Sequence, residues 1–175
     1  MRAGRGKADP DDTADETVST LADLFLDHPG WQQAARQIAR VSMSNVYFTH
    51  LPGLAWHLEQ REVGSALEPG KVDDPDFVFR FAPGAVRRLR RVKGGIGEFA
   101  AELFSLADGA DPEHHVDLRV VASFSRLRER GYLRLLVRAG PRVAAYGLSR
   151  GIFSVADVGK LVRQARDTSP YEWEI

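Results

Sequence analysis

The stretch Phe77-Val78-Phe79-Arg80-Phe81 constrains this chain more than any other, because three aromatic rings alternate with one apolar and one charged residue. Successive side chains of an extended strand point to opposite faces, so this spacing sets all three rings on one side of a sheet. So apolar a face has to be covered, and the flanking segments supply the cover. Upstream, Val18, Leu21, Leu24 and Phe25 recur at helical spacing and stop at His28-Pro29-Gly30. Trp31, Ala34, Ala35, Ile38 and Val41 then mark a second amphipathic helix. From Asn45 the period drops to two. Val46–Thr49, Ala55–Val63 and Ser65–Leu67 read as strands, divided by turns at Leu51-Pro52-Gly53, Gly64-Ser65 and Glu68-Pro69-Gly70. Residues 45–82 are thus expected to form an antiparallel meander of three or four strands.

Helical spacing returns after Pro83-Gly84. Val86, Leu89 and Val92 fall inward, while Arg87, Arg88, Arg90 and Arg91 fall largely outward, until Lys93-Gly94-Gly95 breaks the pattern. Ile96, Phe99, Ala100, Leu103 and Leu106 define a further helix closed by Asp108-Gly109. Val116 to Phe124 fits both periods, and a strand is the preferred reading. Tyr132–Val137 and Val143–Leu148 read as helices, the second opened by Pro141. Ser154 and Asp157 form a capping box before Val158, Leu161, Val162 and Ala165. The expected class is α+β: an antiparallel meander sheet covered by several helices. Residues 1–15 read as a disordered tail, 16–168 as one domain, and 169–175 as a short tail whose Trp173 docks back.

Composition narrows the function. A chain of 175 residues without cysteine has no disulfide framework and no thiolate nucleophile or metal ligand. No apolar run approaches the ~18–20 residues of a membrane span, and Met1 to Asp15 lack the apolar core of a secretory signal. A cytoplasmic protein is therefore expected, one that meets a membrane only transiently. The 24 basic and 24 acidic side chains cancel, yet residues 1–79 hold 7 basic and 13 acidic (net −6) and residues 80–175 hold 17 and 11 (net +6). Only Lys7, Lys71, Lys93 and Lys160 are lysines, a bias that fits a high-GC bacterial genome.

Motifs for chemistry are missing. There is no G-x-S-x-G elbow and no H-E-x-x-H, and Lys93-Gly94-Gly95-Ile96-Gly97-Glu98 lacks the order of a phosphate loop. His114 and His115 are adjacent and so point apart, which argues against a shared metal. No cofactor, no metal and no enzymatic reaction are expected. Arg87-Arg88-Leu89-Arg90-Arg91-Val92-Lys93 suggests nucleic acid at first sight, but the chain is neutral overall and its aromatics alternate inward instead of standing exposed for stacking.

What remains is apolar surface concentrated between residues 56 and 104. A helix-covered sheet can leave a tunnel, and each buried CH₂ of an acyl chain contributes about 0.8 kcal/mol. The order of elements also carries a resemblance. A helix, then V-Y-F-T-H-L-P-G, A-W-H-L-E-Q-R-E-V-G, S-A-L-E-P-G-K and D-D-P-D-F-V-F-R-F, then a helix opening A-P-G-A-V-R-R-L, resembles the sterol carrier protein 2 lipid-binding family over roughly residues 18–107. The stretch from His114 to Arg150 is longer and more helical than in that family. The resemblance implies non-enzymatic carriage of a fatty acyl, sterol-like or isoprenoid lipid in a tunnel between sheet and helices. Trp56, Phe77, Phe79, Phe81, Phe99, Leu103 and Phe104 are then the expected lining, with Arg87, Arg88, Arg90, Arg91 and Lys93 as a rim for an anionic head group. The competing expectation is an interaction or regulatory module whose arginine face docks an acidic protein partner or nucleic acid.

Overall fold

A computed structural model describes residues 10–62 and 64–167. The first helix, α1 (Pro10–Asp27), begins inside the segment expected to be a tail and buries Leu21, Leu24 and Phe25. His28 separates it from α2 (Pro29–Ala35): the His28 ring accepts from the Gly30 amide at 3.1 Å, and Pro29 sits where no amide donor is needed. The chain leaves α2 earlier than the periodicity through Val41 predicts, and the Ala39 amide turns to the Arg130 carbonyl at 2.8 Å.

Strands β1 (Met43–Phe48), β2 (Trp56–Gln60), β3 (Ser65–Pro69), β4 (Phe77–Phe81) and β5 (Val116–Val120) form a five-stranded sheet in the order β3-β2-β1-β4-β5. The expected strands are present, but the sheet is mixed and not antiparallel throughout. β4 does not fold back on β3. It pairs parallel with β1, setting Val46 opposite Phe79 and Phe48 opposite Phe81, while the other neighbours are antiparallel. Asn45 shows why. Its side-chain oxygen accepts from the Val72 amide and its NH₂ donates to the Val72 carbonyl, both at 2.9 Å. This clip holds the β3–β4 connection against β1, and the Asp76 amide then donates to the Met43 carbonyl at 2.7 Å, so β4 starts beside β1 and runs with it.

Helices α3 (Pro83–Arg90) and α4 (Ile96–Asp108) precede β5, and α5 (Phe124–Glu129), α6 (Tyr132–Arg138), α7 (Pro141–Ser149) and α8 (Val155–Asp167) follow it. The strand reading holds for Val116–Val120, whereas Phe124 opens α5. Ser154 caps α8 as expected, accepting from the Asp157 amide at 3.3 Å and donating to the Asp157 carboxylate at 2.8 Å. The side chains of Val46, Phe48, Leu58, Phe79, Phe81 and Val116 pack in one core with Leu21 and Phe25 of α1, Val86 and Leu89 of α3, and Phe99 and Leu106 of α4. The opposite face of the sheet carries a polar row: Tyr47, Arg80 and Asp117 lie in register across three strands, and Arg80 donates to Asp117 at 2.8 Å. Ala122, Leu127 and Val162 centre a smaller cluster under α5, α6 and α8. The expected docking of Trp173 falls outside the described residues.

Candidate functional site

The sheet places the alternating rings as the sequence predicts, on the helix-covered face. Phe79, Phe81 and Phe99 are buried at 7%, 1% and 3% exposure, and they form the centre of the interface. Phe79 stacks on Phe81 with ring centroids 5.7 Å apart, Phe25 meets Phe81 at 6.3 Å, and Trp31 meets Phe99 at 5.8 Å. Offset and edge-on pairs of this kind add about 0.5–1.5 kcal/mol to the burial of the rings. The chain's own rings therefore fill the centre. Around it lies a fringe of partly buried apolar side chains: Trp31, Leu51, Trp56, Leu67, Phe77, Leu103 and Leu118.

Six of the seven expected lining residues thus meet in one cluster, Trp56, Phe77 and Leu103 at its fringe. Phe77 also reaches the second cluster, where Tyr132 packs edge-on against it at 4.9 Å. Phe104 goes elsewhere: it stacks on Tyr146 of α7 at 5.0 Å and 9°. It lies one residue beyond Leu103, and on a helix that rotation turns it away from the sheet. Tyr146 in turn donates to Asp108 at 2.5 Å, and Arg150 pairs with the same carboxylate.

The arginine helix divides its charges. Arg88 pairs with Glu102 of α4 at 2.6 Å, and Arg90 donates to the Thr20 hydroxyl of α1 at 3.4 Å. Both tie α3 to its neighbours. Arg87, Arg91 and Lys93 are exposed.

Two constellations were not foreseen. The first centres on Asp76, which is fully buried immediately before β4. Its carboxylate accepts from Arg130 at 2.8 Å and from the Tyr132 hydroxyl at 3.1 Å, and the Arg126 guanidinium lies 2.9 Å away. Its carbonyl accepts from the Val121 and Ala122 amides at 3.0 and 3.1 Å. Arg126 also bonds Asp74 at 2.5 Å, and this hydrogen bond holds the Asp74 carboxyl below its usual range. Burial, then the Asp76 charge, pushes the Tyr132 hydroxyl well above its ordinary pKa. The group acts as a latch, fastening α5 and α6 to the start of β4 and the end of β5. The Asp73-Asp74-Pro75-Asp76 run facing Arg126, Arg128 and Arg130 in the sequence was its signal.

The second is a solvent-open groove of about 390 Å³ lined by Gln33, Arg36, Gln37, Ile96 and Arg138. Gln33, Arg36 and Gln37 follow at i, i+3 and i+4, the spacing of one helix face, and that was legible in advance.

Three histidines serve local structure. His114 bonds Asp111 at 2.8 Å, His115 bonds the Gly109 carbonyl at 2.7 Å, and His57 bonds the Gly70 carbonyl at 3.1 Å. Among the described residues, no group of three or more potential ligands is placed to hold a metal. No described helix is long and apolar enough to cross a membrane.

These elements define an α+β architecture in which helices cover the aromatic face of a five-stranded mixed sheet. No protein-family profile and no curated protein matches the sequence. Among solved structures, the chain is similar to one described as a UbiJ-SCP2 ubiquinone synthesis protein, with a TM-score of 0.40 and 14% identity over 76% of this chain and 94% of that one.

Proposed function

We propose that this chain binds a hydrophobic ligand, an acyl or isoprenoid chain, along the aromatic face of its sheet, without chemical conversion. The observation that carries this reading is the fringe. Trp56, Phe77 and Leu103 keep part of their apolar surface accessible beside a closed aromatic centre. Apolar area left at such an edge is recovered when a ligand covers it, at about 25 cal/mol per Å². A chain of roughly ten carbons, at about 0.8 kcal/mol per CH₂, reaches micromolar affinity. Because the centre is filled, the ligand lies along the fringe and displaces Leu103 and Trp56, leaving the Phe79–Phe81 stack in place.

The test is titration of the full chain with a fluorescent fatty acid, paired with native mass spectrometry of protein taken directly from cells. The expected results are 1:1 saturation in the micromolar range and a co-purifying lipid. Leu103→Arg weakens the fluorescent probe at least ten-fold, whereas Phe104→Arg, on the α7 side, leaves it unchanged. Absence of both saturation and bound lipid refutes the reading.

A further inference from the structure

The groove between α2, α4 and α6 brings together two arginines, two glutamines and one isoleucine. Arg36 ends α2 and Arg138 ends α6, and both side chains are exposed to solvent. Neither makes an ion pair among the described residues, in contrast to Arg88, Arg126, Arg130 and Arg150. Gln33 has its amide oriented by its neighbour: its oxygen accepts from the Ile96 amide at 3.1 Å, which leaves its NH₂ free to donate. The adjacent carboxylate, Glu98, is committed elsewhere, accepting from the Gly95 amide at 3.1 Å and lying 3.4 Å from Arg142.

The walls are backbone and therefore firm. A side chain at Gly97 would collide with the Ala139 carbonyl, so the first turn of α4 lies directly against the end of α6. Gly131 has φ of +91° and lies against the Gln37 carbonyl, which presses the α5–α6 turn onto the end of α2. These two close approaches fix the ends of α2 and α6 beside the first turn of α4, so that Arg36 and Arg138 line one concavity.

We infer that this groove binds a phosphate group carried by a larger molecule. Two guanidiniums match a phosphate monoester or diphosphate in charge, and each presents the planar fork that pairs with its oxygens. At about 390 Å³ the groove holds more than a lone anion, and Ile96 offers an apolar wall to the organic part of the ligand. The phosphate belongs to a soluble ester or to a lipid head group; the chemistry recognised is shared. The groove shares no lining residue with the aromatic fringe, so either reading can fail while the other stands.

The test is calorimetric titration of the full chain with inorganic pyrophosphate, glycerol 3-phosphate and sodium acetate, and with phosphatidylcholine vesicles with and without phosphatidic acid. Saturable 1:1 binding of pyrophosphate or glycerol 3-phosphate is expected, tighter than acetate. The doubly substituted variant Arg36→Gln, Arg138→Gln weakens it at least ten-fold. Both side chains are exposed, so this variant keeps the parent's circular dichroism spectrum and melting temperature. The control Lys160→Gln, Arg163→Gln, at two exposed positions of α8, binds like the parent. Binding to phosphatidic acid vesicles that exceeds binding to glycerol 3-phosphate, and that the same double variant removes, assigns a lipid head group. Comparable binding assigns a soluble ester. No saturation at millimolar phosphate, acetate binding as tight as pyrophosphate, or equal affinity in the two double variants overturns the inference.

Discussion

Asp76 shows how much a single buried charge can hold. Its carboxylate is the common partner of Arg126, Arg130 and Tyr132. Removing one partner of a buried ion pair strands the others and costs about 3–5 kcal/mol. Asp76→Ala should therefore lower the unfolding free energy read from urea titration by that amount, and Asp76→Asn, which keeps the shape but not the charge, should lose most of it too. A tyrosine makes a second prediction. The Tyr146 hydroxyl is pushed up to about 12, first by burial and then by its hydrogen bond to Asp108. An unfolded tyrosine ionises near 10, so the folded state holds the proton more tightly. The resulting stability is fully present below pH about 10 and is lost as pH rises through the folded value near 12. Urea midpoints measured from pH 9 to 12 should fall, and they should fall less steeply in Tyr146→Phe. Neither site was read from the sequence, although the acidic run at 73–76 and the arginines at 126–130 hint at the first. An aspartate before a strand reads as a solvated turn residue until helices remote in the chain are known to return to it.

At the level of elements, alternation was a sound guide to faces and a poor one to neighbours. Phe79, Phe81, Val46 and Leu58 lie on the face their spacing assigns, because that follows from strand geometry alone. Which strand lies beside which is settled by connections, and here by one polar residue in an apolar strand. Asn45 is 2% exposed, and both its bonds go to Val72. Asn45→Ala leaves the Val72 amide and carbonyl without those partners and should cost about 1–3 kcal/mol, with faster hydrogen exchange at Val72. The helix α5 was missed for a different reason. Phe124–Glu129 makes fewer than two turns, too short for an apolar stripe, and only Ser123, which accepts from the Arg126 amide at 3.3 Å, marks its start. Of the candidate site, the shared cluster was readable because its members alternate. The closure of its centre was not, because Phe25 and Trp31 arrive from helices whose approach the sequence does not specify.

Across the whole molecule, zero net charge is the balance of an acidic first half and a basic second half, and the pI is about 7.0. With no net charge to hold copies apart, unlike surface charges of neighbouring molecules attract at low ionic strength, and salt screens that attraction. Light scattering at pH 7 should show net attraction between molecules in dilute buffer that fades by about 0.3 M salt, where the screening length is well below 10 Å. The parallel seam between β1 and β4 has a consequence in time. β1, β2 and β3 can zip through short turns, but the centre of the sheet stays open until residues 77–81 reach residues 43–48. Closing that long loop delays the rewards of pairing, so the seam is where the folding barrier lies. Val46→Ala should then slow refolding, whereas Leu67→Ala, at the local hairpin, should chiefly hasten unfolding. A nascent chain that stops short of β4 exposes the bare flank of β1, and that interval is when this protein is most exposed to pairing with the wrong strand.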